Sequence, residues 1–186
     1  MGAQSIPKPL TVEEYERTPD PPGGRYELHH GEAVFVTYPL HNHKELQRRL
    51  RKLLEPLAEA AGFVVDTEFP YRPFPENEVW GADVACVGVA RYDAIEKWLV
   101  GSPEMVIEVK SASNTKAEMH DKAMHDKAMT TLAGEGAIEF WIVDPATKTV
   151  TVHSTLRGIR VYGEDSAVPV PLFDGSVDLS QLFAGL

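Results

Sequence analysis

The chain has 186 residues, of which 43% are hydrophobic and 25% charged, and its formal net charge at pH 7 is −10. This is an ordinary globular composition, long enough for one well-packed domain and short for two. No apolar run approaches the roughly 20 residues of a membrane span. The single cysteine, Cys86, excludes an internal disulfide and, with no basic-then-apolar leader, favours a cytoplasmic location. We expect residues 1–10 to form a flexible arm and residues 11–186 a single domain.

The acidic balance argues against tight electrostatic binding of nucleic acid, because such binding normally depends on a basic surface. A local basic patch lies between Lys44 and Lys52, with Arg48, Arg49 and Arg51 among its members. If DNA is a partner, we therefore expect its affinity to be modest.

The first half of the chain begins with a short helix, since Glu14 follows Thr11 at the spacing of a capping box. Residues 25–38, centred on Gly31, have the pattern of a β-hairpin. Five leucines at helical spacing predict a long helix over residues 43–61, which Pro56 is able to kink or split. A strand over residues 63–69 and an extended, proline-rich loop follow.

The second half alternates buried strands with one long helix. The connector over residues 91–100 is short and amphipathic, with Trp98 packed inward. The remaining predicted elements are a helix over 116–133 ended by Gly134, a strand over 137–143, a closing hairpin over 149–162, and a tail docked by Leu179, Leu182 and Phe183. Two prolines, Pro169 and Pro171, exclude the tail from the centre of a sheet.

Two apolar runs each contain one acid. Residues 79–87 include Asp83, and residues 103–111 include Glu108, followed two positions later by Lys110. Both runs are typical of short strands buried on both faces. Because side chains alternate along a strand, we expect Glu108 and Lys110 to point the same way, roughly 7 Å apart. A buried acid must be paired, solvated or bound to a metal. The alternative to a functional site is that the end of this strand is exposed and that Glu108 and Lys110 form a surface contact.

Two carboxylates beside an ammonium group suit a hard divalent cation acting on a phosphodiester. Oxygen ligands bind Mg²⁺ or Mn²⁺, and the metal activates water and neutralises charge on the phosphate. The pattern therefore predicts a site at which Asp83 and Glu108 serve one cation.

Four motifs carry a resemblance to a known family. Asp83, followed some two dozen residues later by Glu108-x-Lys110, is similar to the signature of the PD-(D/E)XK nucleases. Residues 26–32 (YELHHGE), 106–113 (VIEVKSAS) and 139–145 (EFWIVDP) resemble the "YELIDGE", "VVEVLSPS" and "EYWVVDP" motifs of one bacterial branch, described as putative restriction endonucleases. The resemblance covers residues 12–162. Ala82 replaces the proline of the signature, and Lys110 replaces a residue that is usually apolar in this branch.

The resemblance implies an α/β (α+β) restriction-endonuclease-like core with a central mixed β-sheet flanked by helices. It implies a Mg²⁺- or Mn²⁺-dependent endonuclease that hydrolyses DNA and acts as a homodimer. Asp83, Glu108 and the carbonyl of Val109 would bind metal, Lys110 would position the water, and Glu27 and Lys127 would support them. A histidine often precedes the first long helix in this family, and we prefer His43 over His41, although helix capping or a surface position explains it as well.

The second long helix contains a tandem duplication, MHDKA-MHDKA, over residues 119–128. Five helical residues rotate the chain by about 500°, which leaves equivalent residues about 140° apart. Only one of Lys122 and Lys127 can therefore reach a given site, and we prefer Lys127 because the core pattern continues on its side. His120 and His125 could imitate part of a zinc site, but a spacing of five does not place them on one face.

Two other functions stay open. The acidic charge and the duplicated helix are compatible with a non-catalytic module that keeps the fold for binding or assembly. A metal-dependent phosphohydrolase of small phosphorylated molecules would tolerate an acidic surface better than a DNA enzyme does.

Overall fold

A computed structural model of the chain describes residues 8–111 and 117–186, except for the side chains of residues 117–120. Most of the expected N-terminal arm and most of the turn expected before the second long helix lie outside the described residues. His120 of the duplicated segment is among the residues whose side chains are not described.

The helices and strands follow one another with short connections. The helices are α1 (Val12–Glu16), α2 (His41–Ala60), α3 (Val89–Asp93), α4 (Ala117–Ala133) and α5 (Leu179–Leu182), and a 3₁₀ turn spans Pro171–Phe173. The strands are β1 (Gly24–His29), β2 (Glu32–Thr37), β3 (Phe63–Arg72), β4 (Trp80–Gly88), β5 (Leu99–Val100), β6 (Met105–Val109), β7 (Glu139–Asp144), β8 (Thr149–Ser154), β9 (Gly158–Gly163), β10 (Ala167–Val170) and β11 (Gly175–Asp178).

Seven strands form the central sheet in the order β5-β3-β4-β6-β7-β8-β9. The β6–β7 and β3–β5 pairs are parallel and the other pairs antiparallel. Strand β6 is buried along its whole length, which explains its unbroken apolar pattern apart from Glu108. The predicted fold class, a mixed sheet with flanking helices, is confirmed.

Each face of the sheet carries one long helix. Leu46, Leu50 and Leu54 of α2 pack on one face together with residues of α5 and β11, and Met124 and Ala128 of α4 pack on the other. The predicted leucine stripe is therefore the core face of α2, with Leu53 and Leu57 only partly buried. No helix within the described residues is long and apolar enough to cross a membrane.

Several local predictions are confirmed by hydrogen bonds or burial. Thr11 and Glu14 form the capping box of α1. The β1–β2 hairpin turns at His30 and Gly31, both with positive φ, as a two-residue type I′ loop requires. The C-terminal tail is docked by α5, whose Leu179 and Leu182 are fully buried.

Prolines interrupt two elements less than the sequence indicates, which excludes one of the alternatives at Pro56 and makes the predicted end of β3 wrong. Helix α2 continues through Pro56 to Ala60 instead of splitting. Strand β3 runs through Pro70 to Arg72, beyond the predicted end at residue 69. On one side of β3, Pro70 is opposite Gly81 of β4. On the other side, the short strand β5 pairs only with the last two residues of β3, Tyr71 and Arg72. The missing N–H of Pro70 therefore breaks no hydrogen bond between β3 and β5.

His153 of β8 is buried, its ring centroid lies 5.4 Å from that of His125 on α4, and its Nδ1 lacks a hydrogen-bond partner among the described residues. Burial, and secondarily the neighbouring His125, lower the pKa of His153. A histidine whose pKa is lower in the folded state favours unfolding as the pH drops below the unfolded value of about 6.5.

We therefore expect His153 to lower the free energy of unfolding between about pH 7.5 and pH 5.5, because the unfolded chain binds the extra proton at this residue. His153→Gln should remove this contribution, so over the same interval the free energy of unfolding of the variant should fall less, or rise more, than that of the wild type. Urea unfolding at both pH values measures the effect, and His125→Gln, which removes only the neighbouring charge, is the matched control. An identical pH dependence in wild type and His153→Gln would contradict the assignment.

Candidate active site

Asp83 and Glu108 come from neighbouring strands of the sheet. Strands β4 and β6 pair with Val84 opposite Ile107, and the next pair in that register is Asp83 and Glu108. The backbone N–H of Val109 donates to Oδ2 of Asp83 over 2.7 Å, and the charge of Asp83 helps to raise the pKa of Glu108, so the two acids are neighbours where β6 ends. The Asp83 side chain contacts α2, which packs on one face of the sheet, whereas the Glu108 side chain contacts α4, which packs on the other.

Lys127 is the cation of this site. Its Nζ lies 3.0 Å from Oε1 of Glu108 and 4.0 Å from Oε2 of Glu27, and it donates to the carbonyl of Gly81 over 2.7 Å. Burial alone would lower the pKa of Lys127, but Glu108 and Glu27 outweigh it and raise that pKa. The ammonium group therefore stays charged although it is almost fully buried.

Gly81 lets these groups approach β4 closely. A Cβ at this position would lie 2.3 Å from Nη2 of Arg25 and 2.9 Å from Oε1 of Glu27. A side chain at residue 81 would therefore displace Glu27 from its place beside Lys127.

Glu27 of β1 is buried and ionised. Its Oε2 lies 2.9 Å from Nε2 of His29, and its Oε1 accepts from Nη2 of Arg25 over 3.4 Å. Burial raises the pKa of Glu27, but Lys127, His29 and Arg25 together lower it to about 2. Glu27 thus supplies a permanent negative charge that holds Lys127 in position.

Glu108 is the carboxyl group that most readily takes up a proton. Burial raises its pKa to about 8, with Asp83 and Glu27 adding to the rise and Lys127 opposing it. Its Oε1 is near Lys127 but has no aligned hydrogen bond within the part of the chain that the structure describes, where this buried oxygen has unused acceptor capacity. The single ammonium group of Lys127 does not fully neutralise the carboxylates around it, and the pKa of Glu108 is the one that rises as a result.

His43 of α2 contacts Asp83, with Nε2 lying 2.9 Å from Oδ1 but without the alignment of a hydrogen bond. Burial alone would lower the pKa of His43, yet Asp83, followed by Glu108 and Glu68, raises it. The neighbouring carboxylates therefore favour the charged form of the imidazole. It does not cap α2, whose N-cap residue is Leu40.

The sequence did not point to Gln47 and Glu68. Gln47, one turn after His43, donates its Nε2 to Oδ1 of Asp83 over 3.0 Å and to Oε1 of Glu68 over 2.6 Å. Glu68 also accepts from Arg25 over 2.6 Å and has a φ of 53°, a left-handed conformation that is uncommon outside glycine. One feature of the sequence could have indicated Gln47. It follows Leu46 of the buried stripe of α2 and lies four residues after His43, so the two side chains are neighbours on the helix.

Lys110, the lysine that follows Glu108 in the motif, is paired with two aspartates. Its Nζ lies 2.7 Å from Oδ1 of Asp121 and 3.1 Å from Oδ2 of Asp144. Strand β6 ends at Val109, so strand alternation no longer sets the direction of the next side chain. The lysine that contacts Glu108 comes instead from the second copy of the duplicated pentapeptide.

The duplicated segment does not assemble a zinc-type cluster among the residues that are described. Within that part of the chain, no group of three or more His, Cys, Asp or Glu side chains could hold a metal by itself. His125 packs against His153 instead.

Lys127→Met should leave Glu108 and Glu27 buried without their cation. Breaking one partner of a buried ion pair costs about 3–5 kcal/mol, so we expect a loss of that size at pH 8. The loss should shrink at acidic pH as the carboxyl groups take up protons. Lys122→Met, the equivalent change in the first copy, alters an exposed side chain and should change the free energy of unfolding by less than about 0.5 kcal/mol. Equal losses for the two variants, measured by urea unfolding, would refute the assignment of Lys127.

Comparisons with known proteins identify the family and the fold. The model of the Uma2 family, described as "Putative restriction endonuclease", matches residues 12–180. The crystal structure of a protein described as a putative nuclease belonging to DUF820, from Anabaena variabilis, superposes with a TM-score of 0.73 at 19% identity, covering 95% of this chain and 98% of the other. At that identity the superposition establishes the shared fold. No curated protein matches the chain. Since the family model spans most of its length, the chain belongs to the Uma2 family of putative restriction endonucleases.

Proposed function

We propose that the protein is a Mg²⁺- or Mn²⁺-dependent endonuclease that hydrolyses phosphodiester bonds of DNA in the manner of the PD-(D/E)XK nucleases. The observation that carries the proposal is the pair of carboxylates at the end of β6, where Asp83 accepts from the N–H of Val109 and Glu108 lies beside Lys127. Membership of a family described as restriction endonucleases supports it.

The donor set fits a hard divalent cation. Mg²⁺ typically takes one or two protein carboxylates and completes its shell with water and phosphate oxygens, so it does not need three clustered side chains. Asp83 and Glu108 would hold it, with the carbonyl of Val109 as the expected third ligand. The unused acceptor capacity of Oε1 of Glu108 is consistent with this role. When bound, such a cation makes coordinated water more acidic and neutralises charge on the phosphate.

The residues of the chain would then divide the work. Lys127 would orient the attacking water or a phosphate oxygen in place of Lys110. Glu27 favours the charged form of Lys127 and lies 4.0 Å from it. His43 and Gln47 would orient Asp83, and the imidazole, when protonated, would offer a positive charge to a bound phosphate.

The homodimer is part of the proposal. Strand β9 is a free edge of the sheet, and its Ile159 and Val161 are mostly exposed. An unpaired edge of this kind is a template for pairing with another chain, so β9 is the surface at which we place the contact.

A non-catalytic module is the second candidate, because part of the site is already satisfied by the protein itself. Asp83 accepts from Val109 and Gln47 and contacts His43, and Glu108 is paired with Lys127. A site that evolved only for stability would look similar in these contacts but would not bind a divalent cation.

We expect the purified protein to nick plasmid or single-stranded DNA in Mn²⁺. Asp83→Asn and Glu108→Gln should lower the rate by about 100-fold or more, since each removes a carboxylate that would hold the cation needed to activate water and neutralise charge on the phosphate. Lys110→Met should retain most of the activity, because Lys110 is paired with Asp121 and Asp144. A folded protein that cuts no DNA with either Mg²⁺ or Mn²⁺ would refute the proposal. Loss of activity in Lys110→Met would instead show that Lys110, and not Lys127 alone, has a catalytic role.

Isothermal titration calorimetry separates the two candidates. An active site should bind Mn²⁺, and Asp83→Asn should abolish that binding. The affinity should rise with pH towards about 8, because the proton held by Glu108 must leave before the carboxylate can coordinate a metal. Absence of Mn²⁺ binding by the wild type would favour the non-catalytic module.

A further inference from the structure

Three apolar side chains lie exposed beside the candidate active site. Val34 of β2 is 38% exposed, and Tyr38 and Leu40, in the link between β2 and α2, are 57% and 70% exposed. We call this surface, formed by Val34, Tyr38 and Leu40, the apolar rim.

Two residues of the apolar rim, Val34 and Leu40, are related to the site by strand register and by position in the chain. In the β1–β2 hairpin Val34 is directly opposite Glu27, and residues opposite each other in an antiparallel pair share a face. Leu40 is three residues before His43, which contacts Asp83. A molecule bound at Asp83 and Glu108 would therefore extend over the rim on the side of β1 and the start of α2.

Folding does not account for Leu40. It occupies the N-cap position of α2, where Ser, Thr, Asp or Asn would satisfy a free backbone N–H, and it provides no side-chain cap. It is also the most exposed of the three rim residues, so it gains little from burial. A leucine that neither caps the helix nor packs in the core is better explained by contact with a ligand.

The charge of the protein restricts which ligand fits. Duplex DNA carries one negative charge per roughly 1.7 Å of its axis and hides the faces of its bases, whereas a single strand has lower charge density and exposes those faces. A protein with a net charge of −10 has little electrostatic affinity to offer a duplex. Stacking on an aromatic side chain supplies affinity that does not depend on charge. Lys44, which follows His43 in α2 and is exposed, can contact the phosphate backbone of a DNA single strand.

We propose that the apolar rim binds the bases of a single-stranded DNA substrate whose backbone crosses the site at Asp83 and Glu108. The inference rests on the proposed nuclease function and names its substrate class: DNA with unpaired nucleotides next to the bond that is cut. Tyr38 is the stacking residue, and Val34 and Leu40 exclude water around the bound base.

Fluorescence anisotropy of the full chain with labelled 20-nucleotide oligo(dT), and with an oligo(dT)–oligo(dA) duplex, tests this in Ca²⁺ buffer. We expect the single strand to bind at least about tenfold more tightly than the duplex. Tyr38→Ala should weaken binding of the single strand about fivefold or more, the low end for a base stacked on one aromatic side chain, and Tyr38→Phe should restore it. Leu156→Ala is the matched control, since Leu156 is 74% exposed but lies in the β8–β9 turn, beside the start rather than the end of β7.

Duplex binding as tight as that of the single strand, unchanged affinity in Tyr38→Ala, or failure to bind either DNA would overturn the proposal. So would sedimentation showing that Tyr38→Ala dissociates a dimer without affecting affinity for DNA, because the rim would then be covered by a second copy. The nicking assay distinguishes this from failure of the function. Binding of single strands through Tyr38 without cleavage refutes the enzyme alone, whereas efficient cutting of duplex with weak binding of single strands refutes the rim alone.

Discussion

The ammonium group of Lys127 is the constraint on which the candidate site depends. It serves Glu108, Glu27 and the carbonyl of Gly81, which belong to three different strands. Carboxylates this deeply buried would be very costly without a cation, and the cation would be equally costly without them. The position of α4 on the sheet, set by Met124 and Ala128 in the core, therefore determines whether the site can exist.

The sequence was sufficient where the determining contacts are local or periodic. The capping box at Thr11, the hairpin around Gly31 and the leucine stripe of α2 depend on residues close together in the chain, and the structure has all three. The two acids on core strands were likewise visible as single charges in apolar runs, and the register of β4 and β6 brings them together. Contacts between distant elements were not visible, and Glu68, which connects Arg25 and Gln47, is such a case.

A net charge of −10 and a nucleic-acid substrate are compatible if the cation site and the surface that binds the bases are separate parts of the site. The carboxylates Asp83 and Glu108 repel a phosphate unless a cation lies between them, so an empty site adds to the repulsion of an acidic protein. Binding energy for a nucleic acid must then come from surfaces that do not depend on charge. Tyr38 and Leu40 provide such a surface, which is why an acidic member of a nuclease family would favour unpaired bases.

The duplicated pentapeptide explains why Lys110 and Lys127 differ in what they contact. Since equivalent residues are about 140° apart around α4, the two copies cannot present the same side chain to the sheet. The first copy supplies Asp121, which binds Lys110, and the second supplies Lys127, which binds Glu108. Asp121, together with Asp144, thus provides the negative charge that Lys110 would otherwise find at Glu108. With Lys110 held in this way, the lysine that contacts Glu108 comes from the helix and not from the strand.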